Sequence, residues 1–243
     1  MKILAIDTTS PIASAAVWED GRQRVSFTVN GTLSHSVTML PMIDASLTAL
    51  GFRLADMDVL ACTAGPGSFT GVRIGVSTLK GLAFADGKPC VGVSTLAALA
   101  AGLGGFPGFI VPVMNARRGQ VYTAIFSSDG TTVRRETEDE LVPFADLEDR
   151  LRAMADGRPV YFTGDGCDMA REQSTLGNVR ETPEPLRYLN AYYVASLAAE
   201  LLCAVPEPQR ADAFAPAKLT PVYLRKPQAE REREERIAAG QGN

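Results

Sequence analysis

Short apolar segments separated by turn residues open the chain, and they predict three strands joined by hairpins. The segments cover residues 2–8, 13–18 and 24–30, with Ser10-Pro11 and Asp20-Gly21 at the two turns. Asp-Gly is a favoured pair in two-residue hairpin turns because both residues tolerate positive φ angles. We therefore expect an antiparallel meander at the start of the chain.

From residue 35 onward, apolar positions recur at helical spacing. Val37, Leu40, Ile43 and Leu47 lie three or four residues apart, and Gly51 is a typical helix stop. Buried strands and helices then alternate. The pattern predicts helices over residues 35–50, 70–85 and 95–103, and strands over residues 58–64 and 90–94.

The second half repeats this order less cleanly, after a linker rich in Gly and Pro at residues 104–108. The predicted elements are strands over 109–115, 120–127, 131–142 and 160–164, and helices over 147–155 and 191–203. A repeat of about 100 residues indicates a duplicated domain, since solenoid repeats are about 20–50 residues long. We expect one domain over residues 1–104, a second over 105–226, and a polar, disordered tail over 227–243.

A meander followed by alternating helices and strands resembles the ribonuclease-H-like half-domain. Two such units in tandem resemble the architecture of actin, Hsp70 and the sugar kinases. The pattern itself requires only mixed sheets with helices on their faces, which is an α/β fold.

The charge balance argues against a protein that binds nucleic acid unaided. The 243 residues include 24 basic and 28 acidic side chains, which gives a net charge of −4 and a pI of about 5.2. Unaided binding usually requires a basic patch and a high pI. If RNA is involved, we expect another protein to hold most of it.

Histidine, cysteine and hydropathy exclude further classes. His35 is the only histidine, which excludes sites that need two, and we interpret it as a surface or capping residue. The four cysteines are widely spaced and predict reduced thiols in a cytosolic protein. Residues 89–116 are uncharged, but Gly and Pro interrupt them too often for a membrane helix of about 20 residues. We expect a soluble, cytoplasmic protein.

Gly65, Gly67 and Ser68 lie in a segment that could bind an anion. The loop follows a predicted strand and opens a predicted helix, so unpaired amides and the helix dipole can face a ligand. It is not a Walker A loop, because no Gly-Lys-Ser/Thr closes it. Phosphate binding and a tight structural turn both remain open, and Ser68 or Thr70 could cap the helix.

Asp7, Thr8 and Thr9 end the first strand and form a second candidate group. In the duplicated-domain ATPases that the fold resembles, a carboxylate and hydroxyls here face phosphate and magnesium. The matching position in the second half is Asn115, whereas a hydrolytic site usually takes an acid from each half. A structural turn role for Asp7 is the alternative.

The helix that follows the loop has more than one face to bury. Gly71 and Gly75 allow another backbone to approach closely, and Val72, Val76 and Leu79 form an apolar stripe beside them. Glycine inside a helix costs about 1 kcal/mol, so a close contact should compensate. That contact is either internal packing on the sheet or an interface with a partner. In the second case, the companion helix would contribute Val37, Leu40, Ile43 and Leu47.

Seven groups of motif residues occur together and in a fixed order. They are ILAIDT at residues 3–8, HS at 35–36 with LP at 40–41, GPGSFTGVRIG at 65–75, GVSTL at 92–96, NARRGQVY at 115–122, TGDG at 163–166 and PVYLR at 221–225. Together they resemble the TsaB (YeaZ) family of bacterial tRNA threonylcarbamoyladenosine synthesis. The segment 65–75 is the specific one, and the others are individually weak.

This resemblance implies an accessory subunit with no catalytic residue and no metal site of its own. Its implied partners are a TsaD-type paralogue that holds the metal and transfers the threonylcarbamoyl group, a TsaE-type ATPase, and a second copy of the chain. The helices over 35–50 and 70–85 would form the dimer interface. tRNA would be held only through the complex. No cofactor is required, although weak binding of ATP or ADP with magnesium at the partner interface is compatible.

Two departures and two alternatives qualify this expectation. The family usually has acids where this chain has Asn115 and Gln120, which puts any charge-dependent role of that strand pair in doubt. A free-standing ATPase or kinase of the same fold would use Asp7 and the Gly65–Ser68 loop to hold phosphate. A direct RNA-binding module is the third reading, and the acidic balance argues against it.

Overall fold

The computed structural model describes residues 1–225 of the chain. These residues form two mixed β-sheets with helices on their faces, which confirms the predicted α/β class. The tail expected over residues 227–243 lies outside the described residues. Within the described part, no helix is long and apolar enough to cross a membrane.

The first sheet confirms the predicted meander and its parallel continuation. Within residues 1–225 its strands are β1 (Lys2–Asp7), β2 (Ala13–Glu19), β3 (Arg22–Val29), β4 (Val59–Gly65) and β5 (Cys90–Ser94). Their spatial order is β3-β2-β1-β4-β5. The pairs β1–β2 and β2–β3 are antiparallel, whereas β1–β4 and β4–β5 are parallel.

The second sheet repeats that order around its own first strand. Its strands are β6 (Gly108–Asn115), β7 (Gln120–Thr123), β8 (Phe126–Ser128), β9 (Val133–Arg135), β10 (Glu140–Pro143), β11 (Val160–Thr163) and β12 (Val179–Arg180). The main path is β10-β7-β6-β11-β12, and β8 pairs with β6 and β9. The duplicated arrangement is therefore present in the structure.

Two strands predicted as continuous are interrupted. The segment 120–127 is divided into β7 and β8, and 131–142 into β9 and β10. Ala124 and Ile125 are both fully buried, so they do not alternate between two faces as a regular strand requires. The strand β12 and two of the shorter helices were not predicted, because such short segments carry little periodicity.

Helices cover both faces of the first sheet. The helices of the described chain are α1 (His35–Thr48), α2 (Phe69–Ala83), α3 (Thr95–Ala101), α4 (Phe144–Met154), α5 (Cys167–Gln173), α6 (Ala191–Cys203) and α7 (Glu207–Ala213). α1 and α2 share a core with one face of the sheet. α3 and α6 share a core with the other face and with residues of the second sheet, so this core joins the two halves.

The helix α6 packs on the first sheet, although the predicted boundary at residue 104 assigns it to the second domain. The Ala191 amide donates to Ser14 Oγ at 3.0 Å. Asn190 Oδ1 accepts the Tyr192 amide, which caps the helix, and also the Ser26 hydroxyl, both at 2.8 Å. Helical periodicity shows that α6 has an apolar face but not which sheet covers it. The two domain ranges therefore stay predictions.

Candidate functional site

A cleft of about 730 Å³ opens where the two halves meet. Its walls come from the end of β1, the start of α1, the β4–α2 loop, the β6–β7 turn, the β11–α5 loop and residues 222–225. This volume lies in the usual range of small-ligand sites. Of the candidate nucleotide residues, Thr9, Gly67 and Ser68 line the cleft, whereas Asp7, Thr8 and Gly65 are buried behind its wall.

Asp7 is held at the end of β1 by hydrogen bonds on one side of its carboxylate. Its Oδ1 accepts the Thr9 amide at 3.1 Å, the Thr9 hydroxyl at 2.6 Å and the Thr63 hydroxyl at 2.5 Å. Its buried Oδ2 has no partner within residues 1–225. Burial raises the pKa of Asp7, and the bonds from Thr63 and Thr9 oppose that rise. The carboxylate therefore stabilises the turn after β1, links that turn to β4, and keeps one unused oxygen.

The loop between β4 and α2 is fitted against the end of β1. Gly67 has a φ of 159°, and a Cβ there would lie 2.6 Å from the Thr9 carbonyl oxygen. The Ser68 amide donates to that same oxygen at 2.8 Å. Ser68 Oγ accepts the Gly71 amide at 3.3 Å, so the predicted Ser68 cap of α2 is confirmed.

Asp165, in the loop after β11, supplies an acid from the second half that we did not predict. The internal repeat places that acid at the position of Asn115, but the Asn115 backbone amide instead donates to Asp165 Oδ1 at 3.2 Å. Asp165 reaches solvent in the cleft, yet the surrounding protein excludes enough water to raise its pKa, and the charge of Asp7 raises it further. The signal in the sequence was an Asp between two glycines directly after a strand. The structure contains no cluster of three or more acidic, His or Cys ligands within residues 1–225.

His35 lines the cleft at the start of α1. Its Nε2–H donates to the Ser10 carbonyl oxygen at 2.7 Å, and its Nδ1 is buried without a partner in the described chain. His35 therefore fixes the loop after β1 to α1. It is partly buried rather than a free surface residue.

Residues 219–225, which we call the C-terminal strap, cross the mouth of the cleft. The Val222 amide donates to the Ala64 carbonyl at 2.7 Å. The Val222 carbonyl would lie 2.4 Å from a Cβ at Gly65, whose φ is 119°. At the end of the strap, the Arg225 guanidinium donates to the Ala116 carbonyl in the second half. The strap thus lies against the candidate phosphate loop and connects it to the opposite wall.

The proposed partner interface needs correction. Seven of its nine residues are buried in the chain's own core and are not available to a partner. They are Ile43, Leu47, Gly71, Val72, Gly75, Val76 and Leu79. The side chains of Val37 and Leu40 are 59% and 54% exposed, and these two remain interface candidates.

The two helix glycines make room for the end of β1 rather than for another chain. A Cβ at Gly71 would lie 1.9 Å from the Thr8 carbonyl oxygen, and a Cβ at Gly75 would lie 2.7 Å from Thr8 Oγ1. The Thr8 hydroxyl donates to the Gly71 carbonyl at 2.7 Å. Of the two readings left open by the sequence, internal packing is correct for this stripe.

Known proteins resemble this chain over most of its length. A family model described as "TsaD: tRNA N6-adenosine threonylcarbamoyltransferase" matches residues 32–232. The tRNA threonylcarbamoyladenosine biosynthesis protein TsaB of Escherichia coli K12 is 40% identical over 144 residues, which is 58% of this chain and 62% of that protein. TsaB of Bacillus subtilis 168 is 33% identical over 172 residues, which is 71% of this chain and 74% of that protein. The chain belongs to the TsaB (YeaZ) family.

A solved structure agrees with membership of the TsaB family. YeaZ from Pseudomonas aeruginosa has a TM-score of 0.73 at 26% identity, and the match covers 92% of this chain and 99% of that one. By contrast, a tRNA N6-adenosine threonylcarbamoyltransferase from Anaeromyxobacter dehalogenans 2CP-C aligns over 39% of this chain and only 33% of its own length. The two sheets with helices on their faces, together with the match to the TsaD family model, confirm the predicted actin/Hsp70-like architecture.

Proposed function

We propose that this chain is a non-catalytic, dimerising subunit of the complex that places the threonylcarbamoyl group on adenosine 37 of tRNAs reading codons that start with adenine. Its relatives are named for tRNA threonylcarbamoyladenosine biosynthesis, and we assign the chain to the same pathway. In this proposal the chain supports a TsaD-type transferase and acts with a TsaE-type ATPase. It acts in the cytoplasm, where the tRNA substrate of the complex is found.

The exposed apolar face of α1 is the observation that carries the subunit role. Val37 and Leu40 lie one turn apart on this helix, and Leu33, two residues before its start, is 65% exposed. Contiguous exposed apolar side chains of this kind mark interaction surfaces. Either a second copy of the chain or the transferase would cover this face.

The cleft gives less support to a free-standing ATPase or kinase. One oxygen of Asp7 already accepts hydrogen bonds from Thr9 and from Thr63 on β4, and the strap packs against the Gly65 loop. Weak binding of ATP or ADP with magnesium stays part of the proposal, supported by Thr9, Gly67 and Ser68 in the cleft wall. Such binding would assist assembly and not a reaction on this chain.

Reconstitution of the modification tests the proposal. Purified transferase and ATPase should modify a tRNA transcript only when this chain is added. Modification at an unchanged rate without it would show that the chain has a different function. Tight, magnesium-dependent ATP hydrolysis by the isolated chain would favour the ATPase alternative.

A double substitution, Val37→Arg with Leu40→Arg, tests the interface. Burying unpaired guanidinium groups at an apolar contact costs about 3 kcal/mol or more, so the dimer Kd should rise more than about a hundredfold. Leu201→Arg is the matched control, because Leu201 is an apolar side chain on α6 that is 45% exposed. Sedimentation should show monomers only for the double variant, with both proteins folded. Intact homodimers and intact transferase complexes of the folded double variant would remove this face from the proposal.

A further inference from the structure

Four arginines surround the mouth of the cleft without a carboxylate partner. We call Arg73, Arg117, Arg118 and Arg225 the rim arginines. Within residues 1–225 none of them forms an ion pair. Arg73, Arg117 and Arg118 are exposed, and Arg225 is partly exposed. Their charge is therefore available to an anion from outside.

The C-terminal strap joins these arginines into one surface. The guanidinium carbon of Arg73 lies 3.8 Å from the centre of the Phe69 ring, and Arg73 Nε donates to Tyr223 Oη at 3.0 Å. The Tyr223 ring packs on Phe69 with their centres 4.6 Å apart. Two residues later, Arg225 donates to the carbonyl of Ala116. That residue directly precedes Arg117, so a continuous series of contacts connects Arg73 to the β6–β7 turn.

The β6–β7 turn holds two arginines in an unfavourable backbone conformation. Arg117 and Arg118 have φ values of 64° and 55°, which cost a residue with a Cβ about 1–2 kcal/mol each. Asn115 Oδ1 accepts the Arg117 amide at 2.8 Å, and the Ala116 amide donates to the Gln120 carbonyl at 3.0 Å. Strain of this kind concentrates at functional sites. Glycine or asparagine would relieve this strain, so the turn is a candidate for a functional role of the arginine side chains.

We propose that the rim arginines bind the sugar–phosphate backbone of tRNA, so that this chain contacts the RNA directly. Guanidinium groups bind phosphate in a bidentate manner, and a half-exposed tyrosine beside them is typical of surfaces that bind single-stranded RNA. Arg73 and Arg118 do not line the cleft, so a ligand with several spaced phosphates suits all four arginines better than a small nucleotide inside the cleft. The inference rests on the proposed function, because that function is the reason for naming tRNA as the RNA that binds.

This surface revises the expectation drawn from net charge. The value of −4 sums over the whole chain, whereas binding depends on the local potential. The ion pairs of the described chain involve other basic residues, and Asn115 and Gln120, which flank the arginine turn, are neutral. Asp165 also lines the cleft, so the rim has four arginines against one exposed carboxylate. A positive patch therefore exists on a protein of negative net charge.

Fluorescence anisotropy with a labelled, unmodified tRNA transcript tests the inference. The full chain is titrated at several salt concentrations, alongside Arg117→Gln/Arg118→Gln. The matched control is Arg22→Gln/Arg134→Gln, which removes the same charge at two exposed arginines that form no ion pair within the described residues. Each contact to a single-stranded phosphate contributes a slope of about 0.7 in log K against log salt. We expect the turn variant to lose about 1.4 of the slope and about 25-fold in affinity at 0.1 M salt, and the control to change less than about threefold.

Three results would overturn the inference. The first is no salt-dependent binding by the parent, and the second is an equal loss in both double variants. The third is displacement of the tRNA by ATP at concentrations that bind the same arginines, which would assign them to a small nucleotide. Reconstitution keeps the two proposals apart: a chain that stimulates modification without arginine-dependent binding refutes only the RNA contact. Arginine-dependent binding without stimulation refutes only the subunit role.

Discussion

Replacing Gly71 with alanine tests whether the glycine stripe of α2 faces the inside of the chain. A Cβ at this position would lie 1.9 Å from the Thr8 carbonyl oxygen. Real Cβ atoms keep at least 3.0 Å from such neighbours, so the end of β1 and the helix must separate by roughly 1 Å. That movement also disrupts the buried hydrogen bond from the Thr8 hydroxyl to the Gly71 carbonyl.

The size of the effect follows from opposing terms. Overpacking a buried contact costs about 1–3 kcal/mol. We take the upper end of that range here, because the neighbouring atom belongs to the backbone and cannot move away alone. The lost hydrogen bond costs about 1 kcal/mol, whereas the better helix propensity of alanine returns up to about 1 kcal/mol. We expect Gly71→Ala to lower the free energy of unfolding by about 3 kcal/mol. For a chain of this size, that is a fall in Tm of about 6–12 °C.

Gly81 provides the matched control on the same helix. A Cβ there meets nothing within 4 Å, so Gly81→Ala keeps the propensity gain and should raise Tm by about 2–4 °C. Gly75→Ala should fall between the two, because its nearest atom is the Thr8 hydroxyl at 2.7 Å. Thermal and urea unfolding measure the three variants beside the parent. A Gly71→Ala protein with the parent's stability but a weakened dimer would show that the stripe faces a partner, contrary to our assignment.

Two further predictions concern titration and reactivity. Burial raises the pKa of Asp7 in the folded state above its ordinary value of 3.8. Between the unfolded-state pKa and the folded-state pKa, the folded protein therefore binds more protons than the unfolded chain. The stability that protonation of Asp7 contributes is lost as pH rises through the folded-state pKa. Asp7→Asn should therefore be more stable than the parent at pH 7, and the difference in unfolding free energy should close as pH falls towards 4; a gap that widens at low pH would contradict this. In the native protein, a thiol reagent should modify the exposed Cys203 rapidly and spare Cys62 and Cys90, since both are buried and burial raises the pKa of Cys90 to about 11. Equally rapid loss of all three thiols would contradict the packing of the first sheet.

The candidate site shows where prediction from the sequence ended. The structure brings Thr9, Gly67 and Ser68 to one cleft, because the ends of adjacent parallel strands meet at the same edge of a sheet, and their role in nucleotide binding stays a prediction. Asp165 was missed because the repeat of Asp7 falls at Asn115, whereas Asp165 follows β11, which is the neighbour of β6 in the sheet but not in the chain. The C-terminal strap was recognised only as part of a family motif. Nothing in its local pattern indicates that it returns to Ala64 and Ala116.

Local periodicity in the sequence determined the strands, the longer helices and the duplication, because hydrophobic spacing reflects the geometry of each element by itself. The tertiary structure decided what covers each apolar face. It directed Gly71 and Gly75 towards Thr8 and placed α6 on the first sheet. It also gathered unpaired arginines at one rim of a chain whose overall charge is negative. These outcomes depend on contacts between residues far apart in the chain, and the spacing within one element carries no information about such contacts.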